Sequence, residues 1–431
     1  MIASSMFHLW QLRRNLRADP SRLREIQNKE LRATLRYAYG SVPFYHQRFR
    51  SARLRPDDVR TIEDLNKIPL TSKSDVQRSP DDFLAKTADR KKCVKRLTSG
   101  STGIPLTVTV NPSVIAFENA LWVRSYAENG MRPWHKMLRI TDPRNFAPAH
   151  LYQHLGLMRT KFVSVFDDNK KLLSTIEEFK PDIIRGYTSC VENFAMFCED
   201  NKLHTKPKLI FTSAELLDKK ARKTITSALG AELFDIYVSV EFGPMAWECC
   251  EHSGYHINAD GLILEFVDHG EAVAPGERGE IVCTSLFNDI FPLIRYSIGD
   301  VAIPSDERCS CGVTLPLMKI VEGRTGDYLV ALDGRKIPPI IFFPFPFDDA
   351  DVNRLKQFKV IQEQRDKLLI LIVANNHLGG TEDIFKRAEK NLRGVFGEHM
   401  QITFKMVEKI RRDSTGKLRK IVSKVKMDDP E

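Results

Sequence analysis

Residues 97–105 read Leu-Thr-Ser-Gly-Ser-Thr-Gly-Ile-Pro, and Thr98, Ser99, Gly100, Ser101, Thr102 and Gly103 crowd hydroxyls and glycines into one short stretch. Glycines let a backbone turn several N–H groups toward one point, and hydroxyls add donors, so the stretch can cradle an anion such as a phosphate. Ile104 stands where a Walker loop would carry its lysine, which argues against a Walker NTPase. Composition alone fits a hydroxyl-rich hairpin turn equally well.

A second group of residues suits a metal. Cys249, Cys250, His252 and His256 lie close together, and Cys309-Ser310-Cys311 follows some fifty residues on. Thiolate and imidazole are the preferred ligands of tetrahedral Zn²⁺, so a Cys-plus-His half and a Cys-x-Cys half can close a site within 246–312. Spacing leaves open which of Cys249 and Cys250, and which of His252 and His256, would bind. It leaves unligated thiols open as well.

The elements around these residues follow from periodicity. Leu106, Thr107, Val108, Thr109 and Val110 alternate as a strand does, so the hydroxyl-rich loop lies between strands. From 95 to about 300, short apolar runs (Lys136–Ile140, Lys161–Phe166, Ile183–Arg185, Lys208–Phe211, Leu233–Val238) alternate with helical stretches such as Lys170–Phe179 and Asp218–Leu229. That rhythm predicts an α/β domain with largely parallel sheets. Residues 262–303 instead suggest hairpins and a mainly β subdomain, while 8–40 carry helical spacing until Gly40-Ser41-Val42-Pro43 breaks it. Past a glycine-punctuated connector near 323–336, strands at Gln357–Gln362, Lys367–Val373 and Gln401–Val407 with a helix at Thr381–Phe396 predict a small α+β domain. The boundary is placed near Thr325, giving 1–325 and 326–431.

Bulk properties narrow the class. The 431 residues exceed one core, and 42% apolar with 28% charged content is that of a soluble globular protein. The net charge of +9 favours an anionic ligand, yet the basic residues are scattered, so a phosphorylated small molecule is a simpler partner than nucleic acid. No apolar run is long enough for a membrane span, and Met1–Leu16 lacks the core of a signal peptide. Eight cysteines without such a signal point to the reducing cytoplasm.

Five further motifs carry a resemblance. Phe211-Thr212-Ser213-Ala214-Glu215, Asp235 to Gly243, Ile294 to Asp300, Glu322-Gly323-Arg324-Thr325-Gly326-Asp327 and Arg411 to Arg419 follow the hydroxyl-rich loop in this order. Together they resemble the adenylate-forming enzymes, the superfamily of acyl-CoA synthetases, and within it the phenylacetate–CoA ligase branch, which includes capsular polysaccharide cluster proteins. The likeness covers nearly the whole chain. It implies ATP-dependent adenylation of a carboxylic acid and transfer to a thiol such as coenzyme A. AMP transfer without a CoA step, and a nucleotide-binding protein without turnover, stand as alternatives.

The resemblance also implies roles. Residues Thr98–Gly103 would hold the β- and γ-phosphates, Glu241 would coordinate Mg²⁺, and Tyr237 would stack on adenine while the Ser213–Ala214–Glu215 backbone reads the base edge. Asp300 would bind the ribose hydroxyls, and Arg324 the ribose or phosphate. Lys417 would be carried into the site by a mobile C-terminal lid turning about Asp327. Cys249, His256, Cys309 and Cys311 match the zinc positions, with Cys250 or His252 as substitutes, and the zinc would be structural. Val238 and Val240 depart from the pattern, and Ile340–Phe347 matches nothing in it. Trp134, His135, Arg144 and His150 are candidates for the acid pocket, whose substrate the sequence does not spell out.

Overall fold

The computed structural model describes residues 2–97, 106–324, 329–337, 346–347, 355–374, 381–413 and 418–425. Contacts divide the chain into two compact units, Met1–Pro133 with Phe234–Val321, and Trp134–Leu233 with Glu322–Glu431.

The first unit opens with helices Ile2–Asn15, Pro20–Ser41 and Pro43–Ser51. The first break falls earlier than the spacing suggests. Asp19 caps the second helix by accepting from Ser21 N–H, and Pro20 starts it, a position where a missing N–H costs nothing. The helix Pro112–Glu128 begins behind Asn111, whose side chain accepts from Val114 N–H. Its Arg124 is fully buried and forks onto Asp260 at 2.6 and 3.0 Å.

The strands of this unit pair antiparallel. Leu262–Asp268 lies against Gly279–Ser285, which lies against Tyr296–Ser305. Glu232–Ser239 turns directly into Gly243–Glu248, which pairs with Tyr255–Ile257, and that pairs with Leu317–Arg324. Parallel pairing is therefore confined to a narrower stretch than the rhythm from 95 to 300 implies. Only Val240, Glu241 and Phe242 separate Ser239 from Gly243, too few for the crossover that parallel strands need.

The second unit holds the parallel part. Met137–Thr141 pairs with Thr160–Ser164 and with Ile183–Tyr187, which pairs with Leu209–Ser213. Helices Asn169–Phe179, Thr188–Asp200 and Lys219–Leu229 supply the crossovers and pack Leu172, Val191, Phe194 and Ile225 into one core. Near the C-terminus a separate four-stranded sheet runs Gln401–Met406, Lys367–Ala374, Leu355–Gln364, Ile421–Ser423. The helix Thr381–Phe396 lays Ile384, Ala388, Leu392 and Phe396, at helical spacing, into that sheet's own core. Among the described residues no helix is long and apolar enough to cross a membrane.

Candidate active site

Strands Val94–Leu97 and Thr107–Val110 pair antiparallel, with Leu97 opposite Thr107. They hold the two ends of the hydroxyl-rich loop side by side. The loop residues Thr98, Ser99, Gly100, Ser101, Thr102 and Gly103 themselves lie outside the described residues. Just before the loop, Arg96 forks onto the buried carboxylate of Glu118 at 2.8 and 2.7 Å. Two parallel charge-assisted bonds fix the strand end in direction as well as position. The sequence reading passed over this pair, since Arg96 sits in a basic run that looks like solvated surface. Replacing Arg96 by Met is expected to destabilise the protein by about 2 kcal/mol. If the loop grips the triphosphate, the KM for ATP should also rise while kcat changes little, which steady-state kinetics beside thermal melting would read.

Glu118 touches a second element. Gly243 has φ +63°, and a Cβ there would come within 2.9 Å of the Glu118 side chain. Glycine is thus favoured where the hairpin turns, two residues past half-buried Glu241. On the strand leading into that turn, the Tyr237 hydroxyl donates to Asp300 Oδ2 at 2.6 Å. Tyr237 is mostly buried, and the pair joins two motifs 63 positions apart. A tyrosine face beside a carboxylate offers both a stacking platform and an acceptor for vicinal hydroxyls.

The sulfur and imidazole residues converge in the same unit. One ligand atom each from Cys249, His256, Cys309 and Cys311 lies within 4.8 Å of all the others. Cys249 Sγ is 3.5 Å from Cys309 Sγ, and Cys311 Sγ is 3.3 Å from His256 Nε2. Donors about 2.0–2.3 Å from a tetrahedral centre stand about 3.3–3.8 Å apart, so the set fits zinc. The other imidazole nitrogen, Nδ1, faces the Leu315 carbonyl at 3.4 Å, the outer contact that orients a ligating histidine. Burial lowers the His256 pKa to about 4, keeping the ring neutral, and burial raises the Cys249 thiol above its ordinary range. The remaining two residues lie apart. Cys250 is exposed, and His252 stacks on Phe234 and lies 3.7 Å from Glu248. Gly254 is the hinge of the turn, because a Cβ there would meet the Met318 carbonyl at 2.8 Å.

In the second unit, Ser213 ends the strand Leu209–Ser213, and Ala214 adopts φ +71°, a left-handed conformation a non-glycine rarely takes. Glu215 is then held firmly. Its Oε2 accepts from Ser189 N–H at 2.7 Å, and its Oε1 from Leu418 N–H at 2.6 Å. Arg324 ends the strand Leu317–Arg324, but its side chain, with Asp327, Lys417 and most of Ile340–Phe347, lies outside the described residues. A cavity of about 900 Å³ in this unit is lined by residues including Ile140, Val163, Cys190, Asn193, Val373 and Arg412. None of Trp134, His135, Arg144 or His150 lines it: Trp134 and His150 are exposed, His135 is buried, and Arg144 pairs with Asp142 at 2.6 Å.

Residues 345–424 match the family model of the CapK C-terminal domain. The phenylacetate–coenzyme A ligase of Thermus thermophilus is 30% identical over 327 residues, 72% of each chain. The chain belongs to the phenylacetate–CoA ligase family. The Pseudomonas putida phenylacetate–coenzyme A ligase is 29% identical over 359 residues, 80% of this chain and 79% of that one. Among solved structures, a 2-hydroxyisobutyryl-CoA ligase in complex with an acyl-AMP superposes with a TM-score of 0.78 at 20% identity, covering 95% of this chain and 91% of its own. That likeness is one of fold. This ligase is thus an adenylate-forming enzyme.

Proposed function

We propose that this ligase joins a small carboxylic acid to AMP, releasing pyrophosphate, and then passes the acyl group to coenzyme A. In the first half-reaction a carboxylate oxygen attacks the α-phosphorus of ATP and the bond to the bridging oxygen of pyrophosphate breaks. Two anions must meet while charge grows on the leaving group, so preorganised donors and cations carry the acceleration. Thr98–Gly103 would receive the leaving phosphates, and Glu241 would hold a Mg²⁺ ion, which would supply charge neutralisation there; Lys417 would meet the α-phosphate and the attacking oxygen. Ser213, Ala214, Glu215, Tyr237, Asp300 and Arg324 take the nucleoside. In the second half-reaction the CoA thiolate attacks the acyl carbonyl and AMP departs.

The observation that carries the nucleotide reading is the 2.6 Å bond between Tyr237 and Asp300. It holds an aromatic face and a carboxylate acceptor side by side, as recognition of one nucleoside requires. We place the domain boundary at the 1–325/326–431 connector, with the second part a lid turning at Asp327. Cys249, His256, Cys309 and Cys311 would hold a structural Zn²⁺. None of the eight cysteines is in a disulfide, which agrees with a cytoplasmic protein.

Asp300→Asn should raise the KM for ATP about tenfold, the equivalent of one charged hydrogen bond, with little change in kcat. The test of the whole reading is a panel of phenylacetate, benzoate and anthranilate with ATP. Pyrophosphate release and a product that appears only with CoA are expected. Pyrophosphate release with no thiol-dependent second product would establish AMP transfer instead.

A further inference from the structure

The helix Ile2–Asn15 has two unlike faces. Its inner face is committed to the fold. Leu12 packs with Ala120 and Leu121, Leu9 and Phe117 lie against that cluster, and Leu16 just beyond the helix is fully buried. His8 meets the Phe117 ring edge-on at 5.2 Å. Polar contacts then lock the end of the helix. Arg124 Nη1 donates to the Leu12 carbonyl at 3.1 Å, Asn15 Nδ2 to Asp260 at 3.2 Å, and Thr314 N–H to the Leu16 carbonyl at 2.8 Å.

The outer face is apolar in its first three turns. Ile2, Met6, Phe7 and Trp10 recur at helical spacing, and each is between 52% and 66% exposed. The Phe7 and Trp10 rings stack with their centroids 6.4 Å apart. One exposed apolar residue is ordinary on a protein surface, but four on one helix face make a patch of roughly 500 Å². The fold does not use them, since the leucine side already anchors the helix.

Charge gathers at the end of the same face. Arg13 and Arg14 occupy the last turn, Arg17 follows, and 2–17 contain no acidic residue. The Arg14 guanidinium lies 4.7 Å from the centre of the Trp10 ring, so cation and indole share one surface. Glu128, which Arg13 approaches at 3.7 Å and Arg17 at 3.4 Å, offsets one of these charges.

The combination selects the occupant. A second copy of the chain would offer this same face, which holds no acid to pair with the arginines. The patch also falls short of the about 800 Å² that each partner of a stable dimer contributes. An anionic bilayer suits both features, because aromatic side chains settle at the headgroup level and arginines pair with lipid phosphates. We propose that the outer face of Ile2–Asn15 docks this protein on an anionic lipid surface. Ile2, Met6, Phe7 and Trp10 enter the headgroup layer, and Arg13, Arg14 and Arg17 meet the phosphates. So small an apolar area gives reversible attachment, and the reaction chemistry is not involved.

Co-sedimentation uses the whole protein with vesicles of phosphatidylcholine carrying about one quarter phosphatidylglycerol. The protein should sediment with them, bind pure phosphatidylcholine about tenfold more weakly, and detach as sodium chloride approaches about 0.5 M. Phe7→Ser combined with Trp10→Ser should weaken binding to the mixed vesicles about tenfold or more, with the melting temperature within about 2 °C of the parent. Arg14→Gln keeps every apolar residue and should weaken binding about fivefold. If the serine pair disturbs folding, Arg14→Gln decides alone, and unchanged binding in it overturns the assignment. So does a parent protein that fails to sediment, or that binds both vesicle types equally. A dimer at sedimentation equilibrium that the serine pair dissolves would give this face to a second copy and overturn the membrane assignment as well.

Discussion

Lys417→Ala is expected to slow ATP–pyrophosphate exchange by about 10²–10³-fold, the scale of losing one preorganised donor aimed at developing charge. The reason lies in when the charge appears. On the proposed reading, the triphosphate before reaction would need donors from Thr98–Gly103 and a cation that Glu241 would hold. Only as the acid oxygen closes on phosphorus do two negative groups share one centre, and there a single ammonium is most effective. ATP affinity should therefore stay within about twofold, because an interaction made only in the transition state leaves ground-state binding alone. Equilibrium nucleotide binding beside exchange kinetics reads both. Thioester formation from a synthetic adenylate supplies the internal control and should be unchanged. Wild-type exchange in the variant would remove Lys417 from the mechanism and leave the Arg411–Arg419 motif without its role.

The two lysines of this motif answer different questions. Lys417 is proposed to touch the reacting atoms, whereas Lys420 is half-buried and pairs with the buried carboxylates of Asp218 at 2.7 Å and Glu192 at 3.7 Å. Loss of Lys417 should thus be deep and not rescued by Arg elsewhere in the segment.

Local signals in the chain were strong wherever a single element decides the pattern. The helix at Thr381–Phe396 has the bounds its periodicity predicts, because one clean apolar stripe faces one sheet. Strands such as Ile183–Tyr187 fall within a residue or two of their apolar runs. Patterns failed where tertiary partners decide. Periodicity runs through 16–19 without a break, since Asp19 reveals itself as a cap only once Ser21 N–H turns to it. Strand direction after Ser239 depends on a three-residue connection, which alternating apolar residues do not encode.

The candidate site divides along the same line. The resemblance carried by their motifs chose Tyr237 and Asp300, while thiol chemistry raised the cysteines and the resemblance singled out Cys249, Cys309 and Cys311 among them. Arg96, Glu118, Glu192 and Lys420 went unremarked, since a charged residue read singly looks like solvated surface. Each is meaningful only through a partner: Glu118 for Arg96, 22 positions away, and Asp218 for Lys420, 202 positions away. A buried charge is visible in structure because it must be matched, and nothing in its own neighbourhood of the chain announces the match.

Zinc gives the second large effect. The purified protein is expected to carry about one Zn²⁺ per chain, and Cys311→Ser should lose it, with a stability loss on the order of 4 kcal/mol and a melting temperature lower by about 10 °C. Two separate pieces of chain supply the donors. Cys249 and His256 flank the turn through Gly254, while Cys309 and Cys311 lie in the loop before Leu317–Arg324. His256 and Leu317 are also register partners, so the sheet holds one side of the site before any ion binds. Without a cation, the 3.5 Å approach of Cys249 to Cys309 sets two sulfurs together with only hydrogen bonding between them. A bound zinc would replace that weak contact, with both sulfurs held as thiolates and their protons lost to solvent, so its affinity should fall as pH drops. Cys250→Ser is the matched control: its thiol is exposed and outside the cluster, and the change should cost under about 0.5 kcal/mol. Metal analysis and melting curves of the two serine variants decide the matter. Equal behaviour of Cys311→Ser and Cys250→Ser, with no metal bound in either the variants or the parent, would reduce the four residues to a cluster of packed thiols.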